Sequence, residues 1–320
     1  MIAAYLLALA ATASIAAPRL LPHAGWVYRA PRLGLAAWYA VITTIATAVL
    51  AALACLTVGW PGVRATVCTW AVWCLRAVRG AQGPLGRTVA AAVLVGLVLL
   101  GLRVLLLGWR LAAGIAARRR EHTRMLTVLG AESGELGATV VDCPVPVAYV
   151  VPGRPARVVV STGTLHTLDP AQLAAVLAHE RAHATGRHHL LADGARLLAA
   201  AFPHTAVFAE AHAQIDRLIE MRADEVAAGG GHARLDLAWA LVAMAEAAAR
   251  QPGLVPAGAV AATGGNALER VHRLLTPPPP LASTTRVIAW AGVLAVAAAP
   301  LLTLALTALV PALAACPSMA

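Results

Sequence analysis

The sequence predicts an α-helical membrane protein into which an α+β domain is inserted, and three observations carry that expectation. The 320-residue chain is 60% hydrophobic and only 12% charged, with a mean hydropathy of +0.74, far more apolar than an average soluble domain. Apolar runs long enough to cross a bilayer lie near both ends, with arginines beside them. Between these runs, residues 118–280 carry regular charges, shorter apolar stretches, frequent Gly and Pro, and the motif His-Glu-x-x-His at His179–His183.

The amino-terminal membrane region, residues 1–117, is expected to hold about three spans, at 1–17, 35–60 and 88–109. The first is just long enough to cross. A cleaved signal peptide would normally begin with basic residues; none precedes this run, so a retained helix is expected. A loop with Arg19, Arg29 and Arg32 follows. Residues 61–87 mix Arg64, Arg76, Arg79 and Arg87 with Trp70 and Trp73, the pattern of an interfacial helix or a loop. Arg103 interrupts the third run close enough to its end to snorkel, and Arg118–Arg120 mark an exit to the basic side. In the carboxy-terminal region, 281–320, one spanning helix at about 287–315 is kinked or ended by Pro300 or Pro311.

The net charge of +10 comes entirely from arginine. Those arginines flank apolar runs, which is an orientation signal rather than a nucleic-acid surface, so membrane lipid is the expected neighbour and direct nucleic-acid binding is not expected. The rule that positive loops stay inside places the 18–34 loop and the polar domain in the cytoplasm. The Ala-, Leu-, Val- and Arg-rich composition points to a bacterial cell membrane. Five scattered cysteines with no paired spacing support neither a disulfide framework nor a cysteine metal site.

Within 118–280, residues 139–142, 148–151 and 157–161 read as short strands, and 157–161 could offer an edge to an extended substrate. Asp169, Pro170 and Gln172 form a capping signature for a helix that ends near Gly186. Further helices are expected near 190–201, 205–228, 235–250 and 268–275, and Pro277–Pro280 form a stiff linker. On the capped helix, His179 and His183 lie about 40° apart around the axis, so both imidazoles project from one face and can grip one zinc ion. Glu180 beside them can take a proton from water.

A hydrolytic zinc site needs a third protein ligand. His189 completes the spelling HExxHxxGxxH, the metzincin pattern. Glu220 is the other candidate; on a helix it shares a face with Asp224, so one carboxylate can bind metal while the other accepts the N–H of a ligand histidine. The metzincin pattern also requires a methionine in a tight turn, and Met221 and Met244 both lie in helical surroundings. Glu220 is therefore the expected ligand and His189 the alternative. His188 and His189 then read as ordinary residues at a helix end.

The amino-terminal spans, the lead-in Leu168-Asp169-Pro170-Ala171-Gln172-Leu173, the motif His179-Glu180-Arg181-Ala182-His183 and the downstream Glu220-x-x-x-Asp224 resemble the BlaR/MecR-type integral-membrane metallopeptidases, relatives of the Ste24/HtpX-like membrane gluzincins. The resemblance implies a zincin-like (gluzincin) metallopeptidase domain with one zinc ion. It assigns His179, His183 and Glu220 as ligands, Glu180 as base, and Asp224 as the group behind the ligands. The penicillin-binding sensor domain of the antibiotic-sensing members has no counterpart here, so β-lactam sensing is not implied. The expected activity is zinc-dependent cleavage of a protein or peptide, with a winged-helix repressor as the partner the family suggests. An HtpX-like quality-control protease, a non-catalytic receptor or scaffold, and a metal transporter are the alternatives. His204, Tyr149, His212 and Arg222 are candidate oxyanion or substrate contacts.

Overall fold

A computed structural model describes residues 2–58, 83–153, 155–229, 234–250 and 267–314. Among these residues four helices are long and apolar enough to cross a membrane: α1 (Ile2–Leu20), α3 (Pro31–Val58), α4 (Gly83–Leu129) and α11 (Ser283–Ala314). The short α2 (Gly25–Arg29) lies between the first two. Along α4, Val95, Val98, Leu99, Leu102, Leu105 and Trp109 are all exposed on the protein. A helix with apolar side chains turned outward in this way needs lipid around it. Helices α1 and α3 approach through small residues, Ala10 meeting Ala48 and Ala52. The buried Thr44 hydroxyl reaches from α3 to the Val296 carbonyl of α11, 2.6 Å away.

Helices α1 and α4 run past the expected spans. Helix α1 continues to Leu20, and α4 runs unbroken through residues 117 and 118, where the domain boundary was expected, because nothing in that stretch breaks a helix before Gly130. Pro300 does not end α11. The expected interfacial segment at 61–87 lies outside the described residues up to 82, and its remainder begins α4.

The polar domain opens with a four-stranded sheet: β1 (Gly130–Ser133), β2 (Ala138–Val141), β3 (Ala148–Val151) and β4 (Arg157–Ser161), in the order β1-β2-β4-β3. Strand β1 was not expected from its sequence; it forms by antiparallel pairing with β2. Strand β4 pairs parallel with β2 and antiparallel with β3. It is therefore interior, and the expectation of an edge at 157–161 is corrected. Val158, Val159 and Val160 are all buried, the continuous apolar run of a strand covered on both faces. The edges belong to β1 and β3.

Among the described residues six helices follow: α5 (Thr162–Thr167), α6 (Pro170–Thr185), α7 (His188–Ala201), α8 (Ala206–Gly229), α9 (Arg234–Ala249) and α10 (Ala267–Leu275). One core joins the sheet to α6, α9 and α10 through Val158, Val160, Val176, Leu237, Met244 and Leu274. A second joins the domain to the membrane region, with Ile215 and Leu218 of α8 packed among Val27, Trp38 and Ile42.

Gly34 sits where α3, α2 and α8 meet. A Cβ there would stand 2.8 Å from Val27 Cγ1, 2.9 Å from the Val27 carbonyl oxygen and 3.1 Å from Leu218 Cδ1. Overpacking of this kind costs about 1–3 kcal/mol, and the backbone oxygen has little room to yield. Gly34→Val is expected to lower the thermal midpoint of the detergent-solubilised protein by several degrees; an unchanged midpoint would refute the close approach.

Candidate metal centre

The local sequence places the motif helix firmly. Asp169 Oδ1 accepts from the backbone N–H groups of Ala171 and Gln172, each at 2.9 Å, and Gln172 Oε1 accepts from the Asp169 N–H at 3.2 Å. The capping box read from the sequence is complete, and Gly186 caps the other end. Helix α8 crosses α6 so that Glu220 and Asp224, one turn apart, face His179 and His183.

The distances converge on one point. The Nε2 atoms of His179 and His183 are 3.0 Å apart. Glu220 Oε2 is 3.5 Å from His179 Nε2, and Glu220 Oε1 is 3.4 Å from His183 Nε2. Ligand atoms about 2.0–2.1 Å from a tetrahedral zinc ion stand about 3.3 Å from one another, so this spacing suits such an ion. Among the described residues, these three form the group able to hold a metal. The donor chemistry agrees: two imidazole nitrogens and a carboxylate oxygen directed at a common point are better satisfied by a cation than by one another.

Behind them, Asp224 Oδ1 lies 2.9 Å from His179 Nδ1, close enough to pair though not aligned as a formed hydrogen bond. An N–H on Nδ1 leaves the Nε2 lone pair for the metal. His183 is backed differently: its Nδ1 is 3.2 Å from Nδ1 of His188, and the two rings meet edge to face with centroids 4.9 Å apart. His188 is therefore a buried partner of a ligand candidate and not the ordinary helix-end residue expected from sequence.

The reason lies in the turn. Arg187 adopts a left-handed conformation, φ 49°, and α7 restarts immediately, turning His188 inward. A Cβ on Gly186 would meet the His188 ring at 2.4 Å, so glycine is needed here for space. His189 lines the cleft but does not join the metal group.

Arg270 on α10 is the residue that sequence reading missed. Its buried guanidinium donates from Nη2 to Asp224 Oδ1 at 2.7 Å and from Nε to Asp224 Oδ2 at 2.9 Å, and Nη1 lies 2.9 Å from Glu220 Oε2. A signal existed: Ala267, Arg270, Val271 and Leu274 form one inward helical stripe, and an arginine among apolar positions calls for a buried partner.

The electrostatics follow from this packing. Burial opposes ionisation of Glu220, but His179, Arg270 and His183 outweigh it and hold its pKa at about 2. The same contest leaves Asp224 well below the usual carboxylate range, mainly through Arg270. Burial lowers His183 to about 3, keeping it neutral as a ligand must be. In His179 burial acts downward too, but its contacts with Asp224 and Glu220 prevail and raise it to about 9. Burial pushes Glu180 up to about 7, with His179 and Arg270 opposing and Glu220 reinforcing.

His179, His183, Glu220 and Arg270 line a cleft of about 450 Å³, which Glu180 and Tyr149 of edge strand β3 also border. His204 does not reach it: it is exposed in the turn between α7 and α8, where the backbone breaks at Phe202–Thr205. His212 pairs with Asp216 at 3.1 Å and Arg222 lies 3.5 Å from Glu225, and neither lines the cleft. Of the four expected oxyanion or substrate contacts, Tyr149 alone borders the cleft.

The family model for Peptidase family M48 matches residues 116–209, taking in the sheet and the motif helix. The matched stretch is similar to that peptidase family, and His179 and His183 within it converge with Glu220 beyond it as a candidate metal group. The match ends before Glu220, Asp224 and Arg270, which the geometry adds. No curated protein and no solved structure matches the chain.

With His179 near 9, zinc must displace its proton at neutral pH. Zinc binding to the metal-free protein is expected to release at least one proton at pH 7. Its affinity should fall about tenfold for each unit of pH below 9. Calorimetry in buffers of different ionisation enthalpy checks this; no proton release at pH 7 would contradict it.

Proposed function

We propose that the chain is a membrane-embedded zinc endopeptidase that cuts an extended segment of a protein at the cytoplasmic face of a bacterial cell membrane, in regulatory proteolysis of a transcriptional repressor. The observation that carries the chemistry is the convergence of His179, His183 and Glu220 beside Glu180. The three would hold the zinc, and Asp224 and His188 would orient the two imidazoles. When bound, zinc supplies the positive charge that polarises the scissile carbonyl and acidifies water.

Glu180 takes the proton of the attacking water and returns it to the leaving nitrogen; a base with pKa near 7 suits both transfers at neutral pH. Edge strand β3 runs beside α6, and a substrate segment laid along it would pair as an added strand. Tyr149 on that strand is the candidate oxyanion contact. Burial raises its pKa, so the phenol keeps the proton it would donate.

Sidedness is supported by the loop between α1 and α3. The Tyr28 hydroxyl donates to Gln214 Oε1 of α8 at 2.9 Å, so this loop and the peptidase domain share one side. Arg19, Arg29 and Arg32 favour the cytoplasm for it. The repressor as substrate rests on the BlaR/MecR-type pairing of the two motifs. A quality-control role of HtpX type would use the same chemistry.

Glu180→Gln is expected to retain one zinc per chain and lose about 10²–10⁴-fold in peptide hydrolysis; undiminished turnover would overturn the mechanism. Zinc analysis should show loss of metal in Glu220→Ala and retention in His189→Ala, and the reverse result would restore His189 as ligand. Comparing cleavage products in cells carrying wild type or Glu180→Gln separates the biological roles: a cleaved DNA-binding regulator supports regulation, whereas a broad set of misfolded membrane proteins supports quality control.

A further inference from the structure

Helix α10 is short, yet three of its side chains grip the helix that carries Glu220. Glu269 accepts the guanidinium of Arg217. Arg273 bonds Glu225 and the backbone carbonyl of Tyr28, both at 2.5 Å. Between them, Arg270 takes both oxygens of Asp224 and one of Glu220. Tyr28 closes the knot: its hydroxyl lies 3.2 Å from Arg217 Nη1, and the Arg217 guanidinium stands 4.3 Å over its ring. The loop joining the first two membrane helices thus touches both the glutamate helix and the arginine helix.

The geometry points to Arg270 as a positioning residue of the metal centre, held in register by Tyr28; we build this on the ligand assignment above. Arg270 is 3% exposed, and its planar fork reaches two carboxylates a helical turn apart. By engaging Glu220 Oε2 it leaves Oε1, the oxygen facing His183, as the one it does not bind. By clamping Asp224 through both oxygens it fixes the acceptor behind His179. A mere counter-charge would not need this shape. Lysine has the charge but a single ammonium that cannot bond both carboxylates in the same geometry.

The test uses the full chain in detergent, with wild type, Arg270→Lys, Arg270→Gln, Tyr28→Ala and Glu220→Ala. Zinc affinity is measured by competition with a chromophoric chelator, and the coordination by the visible absorption of the cobalt(II)-substituted protein. Circular dichroism selects the variants that fold. Arg270→Lys and Arg270→Gln are expected to bind zinc about 10–100-fold more weakly, the usual effect of removing a group behind a metal ligand, and to shift the cobalt spectrum. Tyr28→Ala should weaken binding in the same direction by a smaller factor. A structural role elsewhere in the fold would leave the cobalt spectrum of folded Arg270→Lys unchanged.

Wild-type affinity and spectrum in both Arg270 variants would overturn the positioning role, and wild-type affinity in Tyr28→Ala would overturn the registration by the loop. Glu220→Ala separates the two levels of argument. If it loses zinc while the Arg270 variants do not, this inference fails and the ligand set stands; if it keeps zinc, the ligand set itself fails.

Discussion

Glu220, half-buried, and Asp224, buried, lie one turn apart on α8, both held as anions, and much of the surrounding structure follows from that constraint. A buried carboxylate costs several kcal/mol unless it is paired and hydrogen-bonded. The chain meets this by aiming one charged turn from each of two other helices at the same place. Helix α6 brings His179 and His183, and α10 brings Arg270. The nine-residue α10 could not form stably alone; it is held because its arginines satisfy acids on α8. A cation at the meeting point of the two imidazoles and Glu220 would complete the charge balance that Arg270 begins.

What was legible in the sequence was whatever depends on spacing along one helix. His179 and His183, and Glu220 and Asp224, are four apart, and helical geometry alone puts each pair on one face. The Asp169–Gln172 cap and the four long apolar runs are equally local. What escaped depends on how separate segments meet. His188 rather than His189 abuts His183 because Arg187 takes a left-handed turn, a conformation unusual for arginine. Arg270 lies forty-six residues beyond Asp224 in the chain, and no periodicity links the two. The sheet order likewise came from pairing: β4 and β3 are both short and apolar, and only β2, placed alongside β4, decides which of them is the edge.

The two faces of α8 join the membrane region to the chemistry. Val207, Ala211, Ile215 and Leu218 recur at helical spacing and pack on α3, while Glu220 and Asp224 turn towards α6. The domain is thus built against its anchor and not hung from it by a linker. Gly34 marks how closely the two parts approach, and Tyr28 adds polar ties from the same loop. Beyond Pro277–Pro280 the chain enters α11, so α10 lies between the site and the last span with only a short segment separating them.

This arrangement ties the candidate metal centre rigidly to the helices long and apolar enough to span a membrane. Ile215 and Leu218 lie on the same helix as Glu220, less than two turns away, so the ligand cannot rise or sink without moving the core shared with α3. The edge strand β3 is held to the same level through α6 and the sheet core. Under the proposed reading, a segment cut here would have to come to the membrane surface in extended form. That requirement favours substrates tethered or recruited near the bilayer. The 450 Å³ cleft has room for a few side chains and not for a folded surface.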